Sequence, residues 1–255
     1  MIKTFAINLV SQNEKREHIL NECERHNIDV EIIEAVNGKE LTEKQIHTLV
    51  YDYPTCSLTR GEVGCALSHI TVYQRMIDEN IPLALILEDD AILDESTNTV
   101  LDALEKLEVS PLPKVYLLSP SHYYFANIKT PLTKKHTLNK IIDAYYAHGY
   151  VLNLAAAQAL CSFLTPIRYE ADRWGYFQQM GIVNVNCVVP APITTYDHDK
   201  SSSNIEKDRL KIKNSRDTYF RNLRKQEIPF GKKLKRLFLK IMITLHLIKV
   251  VKQKV

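Results

Sequence analysis

The sequence predicts an α/β fold with a mostly parallel central sheet flanked by helices, plus a C-terminal basic amphipathic helix. Three observations predict it. Short apolar stretches alternate with segments of helical periodicity as far as Val189, which is the pattern of strand–helix–strand units. One stretch, Leu83–Leu87, is apolar throughout, as a strand covered on both faces must be. Charge also divides along the chain. From Lys207 onward there are 16 Lys/Arg against 3 Asp/Glu, a net of +13, whereas residues 1–206 hold 17 against 27, a net of −10. An acidic body with a basic appendage is therefore expected: a domain over residues 1–206 and a basic helical tail over 207–255.

The elements follow in order. Lys3–Leu9 is a short apolar stretch between polar residues, a buried strand. Ser11 and Glu14 form an S-x-x-E capping signature, so a helix is expected to run to about His26. Val30–Glu34 reads as a second strand ending at the turn-prone Asn37-Gly38. Thr42/Gln45 and Thr59/Glu62 repeat the capping signature before two further helices. Val63, Leu67, Ile70, Tyr73 and Ile77 give the second of these an apolar face. After Leu83–Leu87, further strands are expected at Lys114–Leu118, Tyr145–Asn153 and Val183–Val189. The Ala-rich Leu154–Phe163 should be helical, with Pro166 breaking it. Asp172 reads as a helix cap. Residues 119–139 carry no clear periodicity.

Composition excludes several classes. With 255 residues, 45% hydrophobic and 25% charged, the chain is an ordinary globular one, long enough for a substantial core. Seven Gly and ten Pro exclude collagen-like or low-complexity architecture. The cysteines, Cys23, Cys56, Cys65, Cys161 and Cys187, are odd in number and lack the paired spacing of zinc or redox motifs, so buried reduced thiols are expected. The N-terminus MIKTFAINLV has no signal-peptide pattern. In the tail, Leu234, Phe238, Ile241, Leu245 and Ile248 share one helical face, with Lys233, Lys235, Arg236 and Lys240 near its start. Ile241–Ile248 falls far short of the ~20 apolar residues that span a bilayer, so the pattern is that of an interfacial helix or of a helix packed on the domain.

Four constellations carry chemistry. Glu88-Asp89-Asp90 follows the apolar strand, where open α/β sheets bind ligands, and reads either as a solvated acidic turn or as a holder of a divalent cation. Thr59–His69 places Gly61 and Gly64 in the first turns of a helix, where glycine disfavours the helix. Either a nucleotide approaches the backbone there or the helix packs tightly on its neighbours. Asp172 is a general-base candidate or an N-cap. Asp197-His198-Asp199 is a metal or phosphate contact or an exposed polar loop. A separate reading, a nucleic-acid-binding protein whose +13 tail grips phosphate, leaves the acidic triplet and the glycine-bearing helix start unexplained. A third reading is a degenerate transferase-like domain that binds but does not catalyse.

Taken in order, Ile7-Asn8-Leu9 with Lys15-Arg16, Arg60–His69, Leu87-Glu88-Asp89-Asp90-Ala91, Ala147-His148-Gly149-Tyr150, Ala171-Asp172 and His198-Asp199 resemble glycosyltransferase family 25, the bacterial lipopolysaccharide and lipooligosaccharide biosynthesis transferases. The resemblance spans about residues 1–205. It implies a GT-A-type nucleotide-sugar-binding fold and a sugar-nucleotide donor, commonly UDP-galactose. It also implies an inverting reaction that builds a β-linkage on a lipooligosaccharide acceptor, with no nucleic-acid partner. On that resemblance Asp90 and His198 hold a divalent cation, Mn²⁺ or Mg²⁺, and Asp172 is the catalytic base. Asn8, Leu9, Arg16, Arg60, Gly61, Glu88, Asp89 and His148 border the donor. The basic tail would then hold a cytoplasmic enzyme on the inner face of the bacterial inner membrane, beside a lipid-linked acceptor. The sequence departs from the family at His148, where relatives often carry a small residue, and at Arg173, where some carry a second Asp.

Overall fold

The computed structural model describes residues 2–107, 110–120, 123–196, 213–228, 230–245 and 248–252. Its centre is a nine-stranded sheet in the order β11-β6-β7-β9-β5-β8-β3-β1-β2. The strands that position the site are β1 (Lys3–Asn8), β2 (Val30–Glu34), β3 (Leu83–Glu88), β5 (Lys114–Leu117), β8 (Gly149–Asn153) and β9 (Asn184–Val189). β1 pairs in parallel with β2 and β3, and β5 pairs in parallel with β9. β8 runs antiparallel between β3 and β5. β2, β1, β3, β5 and β9 therefore share one direction, and β8 is the reversed strand among them.

Burial alternates along these strands and assigns each side chain to a face. Phe5, Ile7, Ala84, Ile86, Val115, Leu117, Tyr150 and Leu152 pack into one hydrophobic cluster. Ala6, Leu83, Leu85, Leu87, Tyr116, Leu118 and Val151 pack into the other. Both faces are covered, which is why Leu83–Leu87 has no polar residue. The first cluster is closed by α3 (Arg60–Asp78), α5 (Leu154–Phe163) and α6 (Trp174–Met180). The second is closed by α1 (Asn13–Arg25) and α4 (Thr97–Leu107).

Local signals hold where they depend only on neighbouring residues. The expected capping boxes form at Thr42, before α2 (Glu43–Leu49), and at Thr59, before α3. Elsewhere the structure corrects the sequence reading. α1 begins one residue later than Ser11 would place it, with Gln12 as N-cap and no side-chain cap. Asp172 caps no helix: Arg173 is the N-cap of α6, again without a side-chain bond. The buried face of α3 runs through Val63, Ala66, Val72, Tyr73 and Met76, with Leu67 and Ile70 only partly covered. Residues 123–143 form a hairpin of β6 (Tyr123–Pro131) and β7 (Thr137–Asp143) where no periodicity was legible.

The basic segment beyond residue 207 contributes to the same core. α7 (Lys213–Glu227) sends Phe220 into the first cluster, and Ile228 follows it. Arg216 pairs with Glu62 on α3 at 2.6 Å and also with Glu170. Glu227 accepts from Tyr169 and, at 2.8 Å, from Tyr176. α8 (Phe230–Thr244) presents Leu234, Leu237, Phe238, Ile241 and, just beyond it, Leu245 to solvent. β11 (Val250–Lys252) then joins the sheet edge beside β6.

Candidate active site

The acidic triplet sits where the topology concentrates polar groups. β1 and β3 end side by side, Ile7 opposite Glu88, so Asn8 and Asp89 emerge together. The Asn8 amide donates to Asp89 Oδ2 at 2.8 Å. Lys15, on the first turns of α1, reaches Asp89 Oδ1 at 3.5 Å. The reversed strand β8 begins at the same end. Its pairing with β3 brings His148 beside Glu88, whose backbone N–H donates to the His148 carbonyl at 3.1 Å. β4 (Ala91–Leu93) pairs with β10 (Ile193–Thr195), placing Thr195 opposite Ala91, and the Thr195 hydroxyl donates to Asp90 Oδ2 at 3.0 Å.

His148 is the hub. Its Nδ1 lies 3.1 Å from both Glu88 Oε2 and Asp90 Oδ1. Burial alone would lower the His148 pKa, but hydrogen bonds to Asp90 and Glu88 and their charges push it up to about 10. Burial would likewise raise Glu88. The hydrogen bonds and charges of His148 and His69 instead hold it well below the usual carboxylate range. Burial lifts Asp89 above its ordinary value despite the opposing pull of Lys15 and Asn8. Lys15 is raised as well, because Asp89, Asp90 and Tyr196 outweigh its burial. Three carboxylates in one corner are thus tolerated because cations from β8 and α1 stand among them.

The Asp172 loop joins this corner through Tyr146. The Asp172 Oδ2 accepts the Tyr146 backbone N–H at 3.1 Å, and the Tyr146 carbonyl accepts from Trp174 Nε1 at 2.9 Å. Tyr146 is held at φ 75°, a left-handed conformation costly for a bulky residue. That conformation leaves its ring stacked on His148, 5.5 Å between centroids. A strained aromatic pinned at both backbone ends and laid against the hub histidine is the kind of geometry that clusters at active sites.

The remaining predicted residues are placed as follows. Leu9 is half-buried at the end of β1, and its carbonyl accepts from Gln12. Arg16 is exposed on the first turn of α1. Arg60 is turned to α2, where its guanidinium donates to the Leu41 carbonyl and to Glu43. It lies nine residues, roughly 13 Å of helix, from His69 at the acidic end of the sheet. Gly61 is half-buried in the first turn of α3. Gly64 is explained by packing: a Cβ there would lie 2.4 Å from the Val36 carbonyl oxygen. His198 lies outside the described residues.

Lys15, Tyr146 and Thr195 were given no role in the sequence reading. Lys15 stands in the motif that carried the resemblance, so it was within reach. Thr195 and Tyr146 act through strand pairing and backbone geometry, for which one sequence carries no signal.

Glu88, Asp90 and His148 each offer one ligand atom, and these atoms lie within 4.8 Å of one another. Two carboxylate oxygens with an imidazole nitrogen, once His148 gives up its proton, suit a divalent cation such as Mn²⁺. The Asn8 Oδ1 is buried and accepts no hydrogen bond among the described residues, although its amide nitrogen is engaged. Such an orphan acceptor costs about 1–3 kcal/mol unless a ligand donor meets it. The corner is therefore equipped for an anionic ligand carrying a cation, with a polar group seated at the end of β1.

The α/β sheet thus gathers charged and polar groups at its strand ends, and comparison with known proteins gives the family. Residues 1–174 match the model of Glycosyltransferase family 25 (LPS biosynthesis protein), and the chain belongs to that family. The lipooligosaccharide biosynthesis protein lic2B of Haemophilus influenzae is 31% identical over 170 residues, covering 63% of this chain and 62% of its own. The procollagen galactosyltransferase 2 of Homo sapiens is 28% identical over 170 residues, covering 61% of this chain and 26% of its own. The chain thus spans about a quarter of the human relative and under two thirds of the bacterial one. A solved glycosyltransferase involved in the glycosylation of the major capsid of PBCV-1 aligns over 82% of this chain and 98% of its own, at a TM-score of 0.40 and 10% identity, a likeness that carries no argument.

Proposed function

We propose that this chain transfers a hexose, galactose from UDP-galactose, with inversion onto a lipooligosaccharide or lipopolysaccharide acceptor, using a GT-A-type donor site. The observation that carries the reading is the corner itself: Asp89 and Asp90 at the end of β3, Asn8 beside them and His148 against them. The bacterial relative is named for lipooligosaccharide biosynthesis and the human one for galactosyl transfer, which favours this acceptor and this donor.

In this reading Asp90 holds the divalent cation, with Glu88, Asp89 and His148 in support and His198 as a further ligand. A cation bound there stabilises the charge that develops on the departing diphosphate. Asn8 and Leu9 border the nucleoside from the end of β1. Arg16 and Lys15 face the donor from α1. Arg60 and Gly61 remain donor contacts only if Arg60 leaves Leu41 and Glu43. The acceptor hydroxyl oxygen bonds the anomeric carbon as the bond to the diphosphate breaks, through an oxocarbenium-like state. Asp172 takes the hydroxyl proton on its carboxylate, a contribution typically of ~10²–10⁴-fold. Tyr146 fixes that carboxylate through its backbone N–H.

In this reading α8 would dock the enzyme on the cytoplasmic face of the inner membrane. Its exposed row Phe230, Leu234, Phe238, Ile241 and Leu245 lies beside Lys232 and Lys233, and each cation near an anionic surface contributes about 1 kcal/mol. Among the described residues no helix is long and apolar enough to cross a membrane.

The test is a panel of UDP-, GDP- and CMP-sugars with a lipooligosaccharide acceptor, with Mn²⁺ or with chelator. The expected result is Mn²⁺-dependent consumption of UDP-galactose that is lost in Asp90→Asn. Turnover unaltered in Asp90→Asn would overturn the metal role, and no turnover of any donor would overturn the transferase reading.

A further inference from the structure

A second constellation lies directly behind the first. Cys65 and His69 are four residues apart on α3 and therefore project from the same face of the helix. The face they share meets the end of β3. His69 Nε2 lies 3.6 Å from Glu88 Oε1, on the opposite side of that carboxylate from His148. Cys65, His69 and Glu88 each offer one ligand atom, and these atoms lie within 4.8 Å of one another.

The ligand orientation is set from behind. His69 is 1% exposed, and its Nδ1 is 2.7 Å from the Tyr150 hydroxyl, which is 2.9 Å from the Tyr73 hydroxyl. When an ion binds, the tautomer with Nδ1–H donated to the Tyr150 oxygen leaves the Nε2 lone pair for it, in place of the hydrogen bond to Glu88. Metal-binding histidines are held in just this way, their second nitrogen engaged by a protein group that fixes the tautomer. Two ligands four residues apart on one helix, completed by a carboxylate from another element, is also a recurring plan for zinc.

The geometry points to a metal site at Cys65, His69 and Glu88 for a borderline-soft divalent ion of the zinc class, distinct from the oxygen-rich corner at Asp90. Thiolate with imidazole selects such ions over Mg²⁺ or Mn²⁺. Tetrahedral zinc, with ligands at about 2.0–2.3 Å, needs donor atoms roughly 3.4 Å apart, and the His69–Glu88 pair stands at 3.6 Å. Cys65 and Glu88 are both partly exposed, which gives the ion a way in, while His69 is buried behind them. On binding, the Cys65 S–H bond breaks, sulfur keeps the electron pair and coordinates the ion, and one proton leaves to solvent. Three protein ligands leave the fourth position to water. Glu88 belongs to both constellations, so an ion held by Cys65 and His69 draws this carboxylate away from His148.

Cobalt is the probe, because Co²⁺ accepts zinc ligands and reports thiolate ligation by a charge-transfer band in the near ultraviolet. The full chain titrated with Co²⁺ is expected to develop that band at one ion per chain and to lose it on adding Zn²⁺. Cys65→Ser is expected to abolish the band, whereas Cys161→Ser and Asp90→Asn retain it. Asp90→Asn separates this site from the proposed catalytic one, since sugar transfer can fail there with the cobalt band intact. Circular dichroism confirms that Cys65→Ser is folded, and isothermal titration with Zn²⁺ should show at least a tenfold weaker site in that variant. No thiolate band in the wild type, or a band that survives Cys65→Ser, overturns the assignment.

Discussion

Replacing Gly64 with Ala separates packing from ligand approach as the reason for glycine in the first turns of α3. A Cβ at position 64 would lie 2.4 Å from the Val36 carbonyl oxygen and 2.6 Å from the Gly38 nitrogen. Ordinary contact begins near 3.4 Å, so the loop after β2 must retreat by about 1 Å. Both neighbours are backbone, so no side chain can swing aside. Overpacking of this kind costs about 1–3 kcal/mol or more. Retreat also breaks the bond from the Val36 N–H to the Ser68 hydroxyl, 2.9 Å, worth about 1 kcal/mol. Alanine's better helix propensity returns about 1 kcal/mol. The net expectation is about 2 kcal/mol of destabilisation, or a Tm lowered by roughly 4–8 °C for a domain of this size. Gly38→Ala should be worse, since its Cβ would meet the Arg60 carbonyl oxygen at 1.7 Å. Calorimetry with a sugar-nucleotide titration on the folded fraction decides the matter. A Tm within about 2 °C of wild type, together with weakened nucleotide binding, would refute the packing argument and restore ligand approach as the reason for Gly64.

Asp172→Asn is expected to keep the bond to Tyr146 yet lower kcat by roughly 10²-fold or more. An unchanged kcat, in an assay under saturating donor, would remove Asp172 as the base. His148, raised to about 10 in the fold from an ordinary 6.5, contributes stability that is complete below about pH 6.5 and is lost as pH rises towards 10. Urea midpoints measured in chelator should therefore fall over that range in the wild type more steeply than in His148→Gln, and equal slopes would contradict the hub role. Arg216→Ala takes a cation from the buried Glu62, which keeps its capping bonds from Thr59, and from Glu170, which keeps Arg173, for an expected loss of about 3 kcal/mol. A chemical-denaturation shift under about 1 kcal/mol would show that α7 is not held as described. Changing Leu234, Phe238 and Ile241 together to Ser should abolish flotation with anionic liposomes while leaving the fold intact, and equal flotation dismisses the membrane role.

How far the fold could be read from sequence depends on how far each determinant reaches along the chain. The capping boxes at Thr42 and Thr59 were legible because donor and acceptor lie three residues apart. β1 and β3 were legible because burial on both faces removes polar residues from a short run. The β6–β7 hairpin was not, because the outer half of β6, Asn127–Pro131, is exposed and its register shifts, so the alternation that marks a strand is broken. The direction of β8 was equally hidden. An aromatic strand reads the same whether it runs with its neighbours or against them, yet only the reversed strand brings His148 to the end where Glu88 and Asp90 lie.

The tail shows why a charge count misleads about structure. A net of +13 from Lys207 onward describes a sum, and the sum is the same whether each cation faces water or a carboxylate. In α7 the carboxylates decide. Arg216 is set between Glu62 and Glu170, which are themselves almost fully buried, and its guanidinium lies over the Phe220 ring. Glu227, one of the tail's few acids, is held by Arg168 and by the hydroxyls of Tyr169 and Tyr176. These partners all lie in α3 or in the segment 168–176, the segment that carries Asp172. The helix that composition assigned to a basic appendage therefore braces the loop presenting the proposed base, and among the described residues it is α8 that keeps an apolar row in solvent. Loss of α7 should then lower stability and turnover together, whereas loss of the α8 surface should affect membrane binding alone.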